Sequence, residues 1–189
     1  KGLYADVMSD VENILKGHSI KSRHYKEEYV NAIAEIGYDV KSSDDLSNIN
    51  LDEFKPKLAT LIDDMVETMH RANGVGLAAP QVGMLRRVVV IDVGEGVIEL
   101  VNPKIIAYSG EQESLEGCLS CPGEWGITRR PDYVKVKAQN RNGEEFTIDG
   151  KELLAKAFCH ELDHLDGVIF KQVAIRMLTP EEIEEMNNQ

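Results

Sequence analysis

Residues 158–167 read FCHELDHLDG, and no other stretch so limits what this chain can fold into. His160 and His164 stand four positions apart. On an α-helix that spacing stacks two side chains one turn apart on the same face, so both ring nitrogens can aim at one point. H-E-x-x-H on a helix is the zinc-hydrolase pattern, with the glutamate as general base. Glu161 sits on the flank of the histidine face. There its carboxylate can take a proton from metal-bound water instead of binding the metal itself. The plainer alternative is a helix carrying two surface histidines with ordinary hydrogen bonds. A glutamate between them, in a stretch rich in Leu and Phe, favours the metal reading.

Two histidines leave a catalytic metal one protein ligand short, since such sites use three and keep a position open for water. Downstream of His164 there is no histidine, and the nearest acids are Asp166 and the surface-like run EEIEE. The better candidate lies upstream in SLEGCLSCPG, where Gly117 precedes Cys118 in a segment bounded by Gly and Pro that suits an irregular loop. A thiolate is a good ligand for zinc or ferrous iron. A single cysteine can equally be a small buried hydrophobe. Cys118-Leu-Ser-Cys121 is also a CxxC, and with His160 and His164 it could make a closed four-ligand structural site. Two features oppose that. The two pairs lie about 40 residues apart, whereas compact zinc modules keep theirs within roughly 12–20. A structural site also has no use for Glu161. Cys159 points to another side of the helix and reads as core packing. Asp163, inside the motif helix and not needed as a ligand, is expected to be buried against a basic side chain, Arg130; a solvated helix aspartate is the alternative.

Around this motif the pattern predicts an α+β fold. Residues 4–17 and 25–36 read as amphipathic helices, and 41–50 (KSSDDLSNIN) as a loop or linker. A stronger helix runs from about Glu53 to Ala72. Leu58, Leu61, Ile62, Met65 and Met69 form its apolar stripe, Asp52 its N-cap, and Asn73-Gly74 its stop. RVVVIDV (87–93) is a short buried strand. Residues 100–101 and 104–106 suggest a second, and 133–138 and 145–148 pair through an Asn142-Gly143 hairpin. Residues 151–165 form the motif helix, and 168–170 one more strand. Thr179 and Glu182 form a capping box on a last short helix. Strands clustered with helices outside them argue against an alternating βαβ order.

The chain has 189 residues and a formal net charge of -12, which makes free nucleic acid a poor electrostatic partner. It shows no apolar run near the roughly 18 residues of a membrane span and no visible signal peptide. It begins at Lys1 and reads as processed or trimmed. Three cysteines make a poor disulfide framework and suit a reducing cytoplasm.

Three segments together resemble one family. GVGLAAPQVG (74–83), EGCLSCP (116–122) and HELDH (160–164) are similar, in order and separation, to the signature motifs of peptide deformylase. The resemblance extends from about Ile49 to the end, giving a catalytic domain over 49–189 and a helical extension or replaced segment over 1–48. The family's Asp-Pro-x-Leu-Arg-like segment is not found near the start. The resemblance implies a compact, bacterial-type α+β hydrolase, its HExxH helix packed among antiparallel strands, that removes the formyl group from N-formylmethionine on new polypeptides. It implies Cys118, His160 and His164 as ligands of one divalent metal with water in the fourth position. That metal would be Fe2+ in the cell, with Zn2+, Ni2+ or Co2+ as isolated. It implies Glu161 as general acid/base, Gln81 and the Leu119 N–H as oxyanion donors, and Val75, Gly76 and Leu77 as the cleft wall. Leu153 and Ala157, on successive turns before His160, would help form the methionine pocket, with Lys156 reaching out from its rim. N-formylmethionyl peptides are the implied partners, with transient ribosome association and no membrane. The implied setting is a bacterial cytoplasm or an organelle. Cys121 replaces the family's usual aliphatic residue.

Overall fold

Val88, Val89, Val90 and Ile91 are all fully buried, which a single strand achieves only with a layer packed on each face. The computed structural model, which describes residues 51–187, supplies both layers. A helix α1 (Leu51–Arg71) leads into strand β1 (Gly76–Ala78), a 3₁₀ turn (Ala79–Val82) and β2 (Val88–Ile91). Strands β3 (Ile98–Ser109), β4 (Gln112–Cys118), β5 (Cys121–Arg130), β6 (Tyr133–Gln139) and β7 (Glu145–Lys151) follow. The motif helix α2 (Glu152–Leu165), short α3 (Phe170–Val173), β8 (Ala174–Met177) and α4 (Pro180–Asn187) complete it. β1, β2, β3, β6 and β7 form one antiparallel sheet in that order, and β4, β5 and β8 a second. This is the α+β arrangement expected. The expected helices over 4–17 and 25–36 and the linker 41–50 lie outside the described residues.

Alternation along β2 divides the core in two. Val88 and Val90 pack with Leu58, Leu61, Ile62, Met65 and Met69 of α1. Val89 and Ile91 face the other way, toward Phe158, Leu162 and Leu165 of α2. Each fully buried Leu, Ile or Phe stabilises by roughly 1.5–3 kcal/mol, so both helices are clamped to the sheet and α2 has little freedom to turn its histidines elsewhere. Helix α1 ends as the Asn73-Gly74 pair suggested. Asn73 takes the left-handed conformation at φ 53°, its N–H donates to His70 O, and the Gly74 N–H donates to Met69 O at 2.9 Å. Those two bonds are a Schellman stop. Asp52 lies inside the helix rather than capping it.

Three local readings need correction. The strand read over 100–101 and 104–106 runs unbroken and longer, as β3. It accommodates Pro103 because the register with β6 slips between Val101 and Lys104, and such an irregularity is where a strand tolerates the missing N–H. Residues 168–170 are not a strand. Ile169 and Phe170 are buried at the entry of α3, and a short apolar run does not distinguish the two states. The segment 114–123, read as suited to an irregular loop around Cys118, belongs to a β-hairpin closed by Leu119 and Ser120. Apolar alternation could not reveal β4, because ion pairs link it to β5, the exposed Glu113 with Arg129 and the buried Glu116 with Arg130. Gln81 lies in the 3₁₀ turn between β1 and β2. The β6–β7 hairpin forms around Asn140–Glu144 with Gly143 at φ 83°, and Thr179 and Glu182 bond reciprocally as a capping box. Among the described residues, no helix is long and apolar enough to cross a membrane.

Candidate active site

The β4–β5 hairpin brings its closed end to the histidine face of α2. It carries the Cys118 thiol to 3.2 Å from His164 Nε2, and His164 Nε2 lies 3.2 Å from His160 Nε2. The three ligand atoms lie within 4.8 Å of one another and form the one such group found among the described residues. Zinc-like bonds of about 2.0–2.1 Å to nitrogen and 2.3 Å to sulfur, at tetrahedral angles, separate ligand atoms by roughly 3.3–3.6 Å. The donor set therefore fits a divalent metal with only slight adjustment. Cys121 is not part of the group, so the closed four-ligand arrangement is not what the fold assembles.

His160 is aimed by a residue that sequence reasoning missed. Its Nδ1 hydrogen-bonds Glu116 Oε1 at 2.6 Å, which leaves Nε2 to face His164 Nε2. Such a partner on the far nitrogen is the usual device for orienting a metal-binding imidazole. Glu116 is itself saturated: Arg130 donates to both its oxygens, at 2.8 and 3.1 Å, and the Thr128 hydroxyl donates to Oε2. Burial works against the Glu116 charge, but the bonds from His160 and Arg130 win and hold its pKa well below the usual carboxylate range. Burial alone would lower the His160 pKa; the Glu116 hydrogen bond and the Glu161 charge leave it raised. His164, buried next to His160, is pushed well below its ordinary value, which favours the neutral form that metal binding would need. Arg130 Nη1 also donates to Asp163 Oδ2 at 2.6 Å. The pairing expected for Asp163 is present, though that side chain is 29% exposed rather than fully buried. The only sequence hint of Glu116 was its place two residues before Cys118.

Arg130→Met should strand the Glu116 carboxylate in the interior. Breaking a buried ion pair on one side typically costs about 3–5 kcal/mol. Urea unfolding of the variant should show a loss of that size, together with weaker metal retention.

Glu161 is buried, and its Oε2 has no hydrogen-bond partner. Burial pushes its pKa up to about 7. Gly76 faces it closely: a Cβ at that position would collide with the Glu161 carboxylate. Gln81 is also buried. Its Oε1 accepts the Ala78 N–H at 2.8 Å, which turns the amide so that Nε2 donates to Ser120 Oγ at 3.0 Å and lies 3.7 Å from Cys118 Sγ. A cleft of about 590 Å³ opens over these groups, with Val75, Leu119, Trp125, Leu153 and Ala157 among its walls. Leu77 is not among them; its side chain is buried in the α1 core. Lys156 does not reach out from the rim. Its Nζ donates to Leu115 O at 2.9 Å, tying α2 to β4. Cys159 is core, as expected, with burial pushing its thiol up to about 11. Trp125 was not singled out from the sequence, since a lone aromatic on an unrecognised strand gave no signal.

Residues 40–178 match the family described as Polypeptide deformylase. The chain belongs to that family. Membership makes it a metal-dependent hydrolase that removes the N-formyl group from nascent polypeptides. It is similar to the peptide deformylase of Acetivibrio thermocellus, 58% identical over 134 residues that span 71% of this chain and 79% of that one. The enzyme of Caldicellulosiruptor bescii is 55% identical over 135 residues, 71% and 81% of the two chains. Among solved structures, the peptide deformylase from Legionella pneumophila superposes with a TM-score of 0.61 at 38% identity, covering 82% of this chain and 85% of that one.

Proposed function

We propose that Cys118, His160 and His164 hold the family's metal, with ferrous iron as the resident ion, and that Glu161 moves the proton during deformylation of N-formylmethionyl peptides. The observation that carries this reading is the buried, unpartnered Glu161 Oε2 in the same cleft as the convergence of one thiol and two imidazoles. A divalent metal at that point would make hydroxide available near neutral pH and polarise the formyl oxygen. Glu161 takes the proton from the attacking water and delivers it to the departing amine. The Gln81 amide and the Leu119 N–H donate to the oxyanion as charge develops on it. Val75, Leu153, Ala157 and Trp125 offer the apolar surface that a methionine side chain requires, and Gly76 lets Glu161 stand close to the bound peptide. A thiolate with two imidazoles suits ferrous iron or zinc. The bacterial relatives support a bacterial cytoplasm as the setting.

Metal analysis of anaerobically prepared protein, coupled to turnover of formyl-Met-Ala-Ser, tests the reading. One metal per chain and release of formate are expected. Cleavage of the unformylated peptide instead would point to a peptidase.

Gln81→Leu keeps similar bulk and removes the donor. Losing one oxyanion donor typically costs 10²–10³ in kcat, so kcat should fall by about that factor. KM should change little, because the bond strengthens mainly in the transition state. Retention of a near-parental kcat would leave Gln81 with only its packing role.

A further inference from the structure

Cys118 and Cys121 face each other across the last rung of the β4–β5 hairpin. Directly opposed residues of an antiparallel pair have Cα atoms about 4.5–5.5 Å apart, within the roughly 4.4–6.8 Å that a disulfide spans. Both cysteines are free, Cys118 partly exposed and Cys121 buried, and the two thiols stand close enough to hydrogen-bond. The third cysteine, Cys159, belongs to the core between α2 and the five-stranded sheet. The ligand set proposed above uses Cys118 and gives Cys121 no task.

We infer that Cys121 is a resolving thiol for Cys118, and that the pair is a site of reversible oxidation by hydrogen peroxide. In the first step the Cys118 sulfur attacks one peroxide oxygen. The O–O bond breaks, and the departing hydroxide takes a proton to leave as water. Cys118 is then a sulfenic acid. In the second step the Cys121 sulfur attacks the Cys118 sulfur and displaces the hydroxyl, which takes the Cys121 proton as the second water. Two thiols have lost two electrons and both peroxide oxygens have gained them. A sulfenic acid left without a neighbouring thiol proceeds to sulfinic and sulfonic acids that ordinary thiols do not reverse. A disulfide is reopened by thiol exchange. The disulfide sulfur is no longer a thiolate ligand, so oxidation also releases the metal; this part rests on the proposed ligand set.

The test compares holoprotein with the Cys121→Val variant, each treated with a small excess of hydrogen peroxide and then with dithiothreitol and fresh metal. Activity is scored against each protein's own starting value. After peroxide, the peptide containing residues 118–121 of the parent should be lighter by two hydrogens, the metal should be released, and dithiothreitol should restore most of the activity. In Cys121→Val the same peptide should gain the mass of two or three oxygens, and activity should stay lost. A parent peptide that gains oxygens while Cys121 remains a free thiol overturns the proposal. Equal recovery of parent and variant also overturns it. A disulfide that forms while the metal stays bound supports the thiol chemistry and overturns Cys118 as a ligand.

Discussion

Glu161→Ala should retain its metal and lose at least a factor of roughly 10²–10⁴ in kcat, the contribution typical of a positioned acid/base. The metal should stay because Cys118, His160 and His164 remain and because Glu116, which aims His160, is held by Arg130 and Thr128 independently of Glu161. The turnover should collapse because Glu161 supplies an unpartnered carboxylate oxygen in the cleft. Its raised pKa of about 7 suits a group that must both accept and return a proton near neutrality. The variant should fold, since the substitution leaves space facing Gly76 rather than creating a clash. Metal content and single-turnover formate release, measured on one preparation, check both halves. Loss of the metal, or a near-parental rate, would remove Glu161 from its assigned role.

Cys118→Ala is the second change with a large expected effect. Losing a partner that merely orients a ligand costs roughly 10–100-fold in metal affinity, and losing a ligand outright should cost more. The variant should lose its metal on dialysis and have no measurable turnover. Cys121→Ala should keep both metal and most activity, because Cys121 lies outside the group of convergent ligand atoms. Metal analysis after dialysis distinguishes the two variants. Loss of metal from the Cys121 variant would mean that both thiols bind, leaving no position open for water and removing the catalytic reading.

The two histidines were legible because helical spacing is local: four residues put them on one face whatever surrounds the helix. The same holds for the Asn73-Gly74 stop, the Asn142-Gly143 hairpin and the Thr179–Glu182 box, each decided by a few neighbouring backbone groups. The apolar stripe of α1 and the run in β2 were legible as buried surface, but the sequence did not say that β2 would be covered on both faces.

The β4–β5 hairpin was hidden. Its edge is built from Glu–Arg pairs whose partners lie 14–16 residues apart, and charge carries no period that reveals such a pairing. Glu116 was missed for the same reason. A glutamate in an acidic chain looks solvated until Arg130 and His160 are brought to it from β5 and α2. By itself, then, the sequence determined the helix that presents His160, Glu161 and His164, the candidacy of Cys118, and the family whose motifs these are. Only the tertiary structure decided that Cys118 and not Cys121 meets the histidines, that Leu77 faces the core, and that Lys156 ties α2 to β4. Those outcomes depend on which strand face and which rung of a hairpin point inward, and that register is set by long-range packing and ion pairing rather than by neighbours along the chain.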